Sequence, residues 1–229
     1  MAQATDKRPS RARRWWTIGL SAVVLAAGGL GLVYGGVFDV ESVQVKGTTF
    51  TKNADIIDAA RIPKGTALAS VDVDGAAARV AQVPEVRDVA VDRSWPHTVV
   101  ITITERSGRL AVPTDKKFTL VDEKGVAFRT VAKRPAHTVL ATLEHPGPDD
   151  QATTSVLTVL SALTPELKNR LVKITAKTPG SITLRLKGGR SVFWGDDSRC
   201  ARKAEVATVL VKRSEKHFDV SAPDVPTVS

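Results

Sequence analysis

Four histidines (His97, His137, His145 and His217), one cysteine (Cys200) and two adjacent carboxylate pairs (Asp149-Asp150 and Asp196-Asp197) are the residues of this 229-residue chain best suited to proton transfer, nucleophilic attack or metal binding. Their spacing argues against each. No histidines form HxxxH or HExxH, and a single Cys builds neither a multi-Cys zinc site nor an intramolecular disulfide. There is no GxSxG elbow and no Gly-rich phosphate loop, and Gly188-Gly189-Arg190 joins two predicted strands as a turn. Both Asp pairs precede predicted helices, where a carboxylate satisfies free N–H groups and complements the helix dipole. Cys200 falls on a predicted helix without a His-based activation pattern and reads as a small, partly buried apolar residue. The expectation is no catalytic residue, no cofactor and no metal: a protein that binds rather than reacts.

The elements that carry these residues follow a hydrophobic run. Residues 1–14 hold Lys7, Arg8, Arg11, Arg13 and Arg14 against Asp6, a net of +4. From Trp15 to Phe38 there are 24 residues without a charge, and about 20 apolar helical residues cross a bilayer core. Trp15, Trp16 and Tyr34 lie near the ends of the run, at the depth amphipathic rings prefer. A cleaved signal peptide is the competing reading, but its apolar core is only about 7–15 residues long. We therefore expect a basic cytoplasmic tail over 1–14 and an uncleaved transmembrane anchor over 15–36. The rest of the chain then lies outside the cytoplasm by the positive-inside rule. Ala27, Gly31 and Gly35 recur every four residues, either as a face for close helix packing or as plain Gly/Ala-rich composition.

The whole chain has 33 Lys+Arg and 24 Asp+Glu, a formal charge of +9. Beyond residue 14 the balance is 28 to 23, spread along the sequence. A nucleic-acid partner is disfavoured, because these residues face away from the compartment that holds it. Arg199, Arg202, Lys203, Lys212, Arg213 and Lys216 surround one predicted helix; they read as a solvated face, or as one turned to an anionic membrane or an acidic partner.

Residues 37–108 read as one module. Alternation over 37–47 predicts a strand closed by Gly47. Thr51 is the expected cap of a helix over 52–60. A second helix follows Asp72 and Asp74 and ends at Pro84. Residues 86–93 and 97–105 alternate again, joined through Ser94-Trp95-Pro96-His97. The predicted order is strand, helix, helix, strand, strand. Residues 109–221 predict a mainly antiparallel β domain with flanking helices. Its hairpin runs over 118–128 around Asp122-Glu123-Lys124-Gly125, and a strand lies within 137–143. Helices are expected over 150–163 and 199–213, the second capped by Asp196, Asp197 or Ser198 and apolar along Val206, Val209 and Leu210. Further strands are expected over 171–176, 182–186, 190–194 and 217–220, with 222–229 as a flexible tail.

Several ordered residues carry a resemblance. Phe38-Asp39-Val40 leads into Val43-x-Val45-x-Gly47, and Gly65-x-x-Leu68 precedes Val71-Asp72. Val83-Pro84-x-Val86-x-x-Val89-x-Val91 precedes Arg93-x-Trp95-Pro96 and then Glu105-Arg106. Val192-Phe193-Trp194-Gly195 and Asp219-Val220-Ser221-Ala222-Pro223 close the pattern. Together with the anchor, these residues resemble the FtsQ/DivIB family of bacterial cell-division proteins over roughly 10–223. The resemblance implies an α+β fold: a transmembrane helix, a POTRA domain and a β domain. It also implies a non-enzymatic, single-pass scaffold at the division septum that binds FtsB and FtsL and links division to septal peptidoglycan synthesis, with no small-molecule substrate. The POTRA domain would serve recruitment. The last predicted strand would be the edge that accepts a partner strand, with contacts at Phe218, Val220 and Ser221 and, on the nearby helix, Arg202 and Arg213. The low aromatic content of that strand, Phe218 alone, departs from the family pattern. An anchored or secreted envelope hydrolase or binding protein is the alternative from another class.

Overall fold

In the computed structural model, which describes residues 20–24, 31 and 37–229, the chain divides into two units at Glu105/Arg106. The expected tail over 1–14, and most of the anchor over 15–36, lie outside the described residues. Among the described residues no helix is long and apolar enough to cross a membrane.

The first unit has the element order that its periodicity predicts. Strand β1 (Ser42–Lys46) is followed by helices α1 (Asn53–Ala60) and α2 (Val73–Val80), then strands β2 (Val86–Ser94) and β3 (Thr98–Glu105). The sheet order is β1-β3-β2, with β1 parallel and β2 antiparallel to β3. Ile56, Ala60, Ala76 and Val80 from the helices pack on Val86, Ile101 and Ile103. Gly47, at φ 88, lies so close to the sheet that a Cβ there would fall 2.0 Å from the Ile103 carbonyl oxygen. Thr51 is not the cap: α1 starts after Lys52 without a side-chain cap. The Thr51 and Phe50 amides instead donate to Glu105, at 2.8 and 3.1 Å. The second helix does follow Asp72, which caps it by accepting from the Gly75 amide at 2.9 Å. The helix stops at Val80, ahead of Pro84. Trp95, joined to Pro96 by a cis peptide bond, stacks edge-on against Phe38 at 5.5 Å, although half its surface stays exposed.

The second unit is a nine-stranded sheet with helices on one face. Its strands are β4 (Leu110–Thr114), β5 (Lys117–Val121), β6 (Ala127–Val131), β7 (Val139–Thr142), β8 (Leu171–Thr175), β9 (Ile182–Leu186), β10 (Ser191–Gly195), β11 (His217–Asp219) and β12 (Thr227–Val228). The spatial order is β12-β11-β10-β9-β8-β7-β4-β5-β6. Most neighbours are antiparallel; β4/β7, β7/β8 and β10/β11 are parallel. Two of these parallel steps need helical crossovers: α3 (Gln151–Ala162) and α4 (Pro165–Arg170) join β7 to β8, and α5 (Cys200–Leu210) joins β10 to β11. Asp150 caps α3 through the Thr153 amide at 2.8 Å, as its position predicts. One core gathers Val156, Leu160 and Leu167 with Ile174, Leu184 and Trp194. A smaller cluster of Ala111, Leu120 and Phe128 packs separately on β4–β6.

A candidate partner-binding edge

The sheet ends at β12, and this changes where an incoming strand could pair. The segment read from sequence as a flexible tail folds back, and Thr227–Val228 pairs antiparallel with β11. The strand expected at the edge, 217–220, is therefore flanked on both sides. His217 and Ser229 exchange both backbone bonds, at 2.9 and 3.0 Å, so they form a hydrogen-bonded pair of the ladder. Phe218 and Val228 are the next, non-hydrogen-bonded pair. Alternation in an antiparallel ladder then points the Val228 N–H and C=O away from β11, toward the open side.

The expected contact residues divide by burial. Phe218 is 2% exposed and Val220 fully buried; both belong to the core beneath the edge. The Val220 amide donates to the Phe193 carbonyl at 2.9 Å, extending the β10–β11 pairing. Ser221 is half-buried, and both its amide and its hydroxyl donate to Asp219 Oδ1, at 2.8 and 2.6 Å. Arg202 is exposed and pairs with Glu205 at 3.3 Å. Arg213 lies past the other end of α5, where its carbonyl accepts from Arg190 at 3.3 Å. The structure thus supports the edge from below with Phe218, Val220 and Ser221, and does not bring Arg202 and Arg213 together.

Side chains that the sequence reading passed over stand on one face of the last strands. Ser191 and Phe193 of β10, His217 and Asp219 of β11, and Thr227 and Val228 of β12 line a groove of about 420 Å³ across these three strands. Phe193 is exposed there, and Ser191 Oγ lies 2.8 Å from His217 Nδ1. The available signal was alternation: within Val192-Phe193-Trp194 the outer residues are fully buried and the middle one turns out.

The connection behind the edge is held by charge. Lys203 Nζ, fully buried, donates to Asp196 Oδ1 at 2.7 Å and to its carbonyl at 3.0 Å. That bond, with a second from Ser198, holds the Asp196 carboxyl at about 2. None of the three expected residues caps α5; its N-cap is Arg199, in the left-handed region and without a side-chain cap bond. The buried face of α5 is Lys203, Ala204, Ala207 and Leu210, whereas Val209 is 63% exposed. Cys200 is half-buried, and burial pushes its thiol up. Among the described residues no three His, Cys, Asp or Glu side chains are grouped to hold a metal.

Residues 38–106 match the POTRA domain, FtsQ-type, and residues 111–223 match the C-terminal domain of cell division protein FtsQ/DivIB. The chain is 38% identical over 225 residues to cell division protein FtsQ of Streptomyces venezuelae, covering 93% of this chain and 82% of that one. It is 32% identical over 237 residues to that of Streptomyces coelicolor, covering 97% and 90%. The chain belongs to the FtsQ/DivIB family. A third relative, the FtsQ of Mycobacteroides abscessus, is 36% identical over 208 residues, or 90% of this chain and 67% of that one. The α+β expectation holds in both family domains. The FtsQ-type POTRA match covers the β-α-α-β-β unit, and the FtsQ/DivIB C-terminal match spans β4 through β11 and ends at Pro223, before β12.

Proposed function

We propose that the chain is a bitopic scaffold of the bacterial division machinery, acting by binding rather than by catalysis. Family membership and relatives named cell division protein FtsQ support the division role. In this reading residues 15–36 anchor the chain with its N-terminus in the cytoplasm, and both folded units lie outside. The POTRA unit serves recruitment to the septum. The β domain holds FtsB and FtsL and so couples assembly to septal peptidoglycan synthesis.

One observation carries the binding mode: the sheet ends at a two-residue strand whose Val228 backbone groups face outward. An extended partner segment would add there as a tenth strand, satisfying those groups. Phe218, Val220 and Ser221 hold the edge in register rather than touch the partner, and Arg202 and Arg213 flank it. Truncating the full chain after Asp224 tests this. Loss of FtsB binding with the thermal transition retained is expected; undiminished binding contradicts it. For recruitment, replacing residues 37–108 should scatter a fluorescent fusion from the septum, and unchanged septal localisation would contradict that role.

A further inference from the structure

The charge is divided unevenly between the two units. Residues 37–105 carry seven Lys+Arg against ten Asp+Glu, whereas residues 106–229 carry 21 against 13. Nearly all of the second unit's surplus sits at one end of its sheet, where the segments 164–173, 185–191 and 210–217 meet. These hold nine Lys+Arg against two Glu, a net of +7.

The topology brings the three segments together. Helix α4 delivers Lys168 and Arg170, and Arg170 reaches the Val211 carbonyl beyond α5 at 3.5 Å. Lys173 and Arg185 are cross-strand neighbours on β8 and β9. The β9–β10 turn adds Lys187 and Arg190, and Arg190 Nη2 donates to the Arg213 carbonyl at 3.3 Å. The Ser191 amide donates to the Lys216 carbonyl at 2.8 Å, which sets Lys212, Arg213 and Lys216 beside that turn. Glu166 answers Arg170 and Lys212, at 3.1 and 3.3 Å. At the other end of α5 the basic residues are matched one to one: Arg199 with Asp224, Arg202 with Glu205 and Lys203 with Asp196. The six basic residues that the sequence places around one helix therefore divide: Lys203 is buried, Arg199 and Arg202 lie at one end of the helix, and Lys212, Arg213 and Lys216 lie at the other.

We propose that this basic end binds a linear phosphodiester polyanion. A folded protein partner usually anchors aromatic or apolar side chains at the centre of its interface. Here Val172 is the one large apolar side chain exposed within the three segments. The centre of the patch is instead the Gly188-Gly189 turn, at φ 76 and 73, where a Cβ on Gly189 would meet nothing within 4 Å. An extended phosphate chain can pass over this side-chain-free turn between Lys187 and Arg190 while neighbouring cations neutralise successive phosphates. Binding of this kind releases counterions and falls steeply with salt. The partner strand of the proposed scaffold uses other residues, so either reading can fail alone.

The test uses the full-length chain in zwitterionic phosphatidylcholine nanodiscs, with fluorescent poly(glycerol phosphate) as the probe. Binding is expected to weaken sharply between about 50 and 200 mM salt. The triple variant R185E/K187E/K216E should lose tenfold or more in affinity. The variant K116E/K117E/K124E, which makes the same charge change on the β4–β6 strands, should stay within about twofold. If the first triple fails to fold, the neutral set R185Q/K187Q/K216Q takes its place. Equal loss in both sets, or no loss in the first, overturns the proposal. Equal binding of poly-glutamate of matched charge overturns it in favour of an acidic protein segment. Displacement of the polymer when phosphatidylglycerol is added to the nanodiscs overturns it in favour of the membrane surface.

Discussion

The fully buried Lys203 ammonium lies 2.7 Å from the largely exposed carboxylate of Asp196, so the pair joins the inside of helix α5 to the turn that ends strand β10. The same ammonium reaches the Asp196 carbonyl at 3.0 Å. That turn packs on the residues just after β11, where Gly195 meets Ser221. A charge sequestered from water needs such a partner, and this one fixes the base of the candidate edge.

Lys203 contributes through both its stem and its charge. Lys203→Ala removes the stem from a closed core and should cost about 2–4 kcal/mol. Lys203→Met refills the volume, while Asp196, 57% exposed at its side chain, simply rehydrates, so most of the loss should return. Urea unfolding of the two variants checks this. If Met is as damaging as Ala, the charge pair rather than the packing dominates.

The same pair sets a pH dependence. The Asp196 carboxyl is held at about 2, against an ordinary 3.8, first by Lys203 and then by Ser198. Its stabilisation is therefore complete above the ordinary value and is lost as the pH falls through about 2. The Lys203→Met variant should lose less stability than the parent between about pH 4.5 and pH 2. Parallel curves for the two proteins would count against the coupling.

Gly195 sits at φ 76, and a Cβ there would fall 2.9 Å from Ser221 Cβ. Gly195→Ala should destabilise the second unit by about 1–3 kcal/mol through the strained φ and the collision. Ser221→Gly in the same chain removes the collision but not the strain, so the double variant should recover part of the loss. Additive losses would show that the two residues do not meet.

Asp122, 2% exposed, bonds Arg106 Nη1 at 2.6 Å and accepts from the Lys124 and Val126 amides, at 2.9 Å each. It holds the β5–β6 turn as well as an ion pair. Asp122→Ala removes the buried carboxylate that Arg106 and two backbone amides use, for an expected cost of about 2–4 kcal/mol. Hydrogen exchange should rise first over 106–131, and unchanged protection there contradicts the assignment.

Much of the fold was legible because local signals agreed. Pro179-Gly180 and Gly188-Gly189 bracket strand 182–186, whose bounds the structure reproduces. Asp150 announces α3. Other elements carry too little local signal. Strand β4 is buried at Leu110, Ala111 and Val112 in succession, so it shows no alternation, and Pro113 obscures it further. Helix α4 is six residues long with Leu167 alone buried. The face of α5 was misread because apolar spacing favours Val209 over a lysine. Asp196 supplies the partner that lets Lys203 turn inward, and that pairing is not visible along the chain. Strand β12 is two residues long, and its pairing with β11 fixes which strand forms the edge.

The central claim is that a partner strand pairs with the outer side of β12, and Val228→Pro tests it most directly. Proline removes the outward N–H of Val228 and leaves the His217–Ser229 bonds intact, since an edge strand tolerates proline where its N–H faces solvent. Thr227→Pro removes instead the N–H on the β11 side. Isothermal titration of the full-length chain with FtsB should show affinity reduced at least tenfold in Val228→Pro, with its thermal midpoint within about 2 °C of the parent. Undiminished FtsB affinity in a folded Val228→Pro chain would contradict strand addition at this edge.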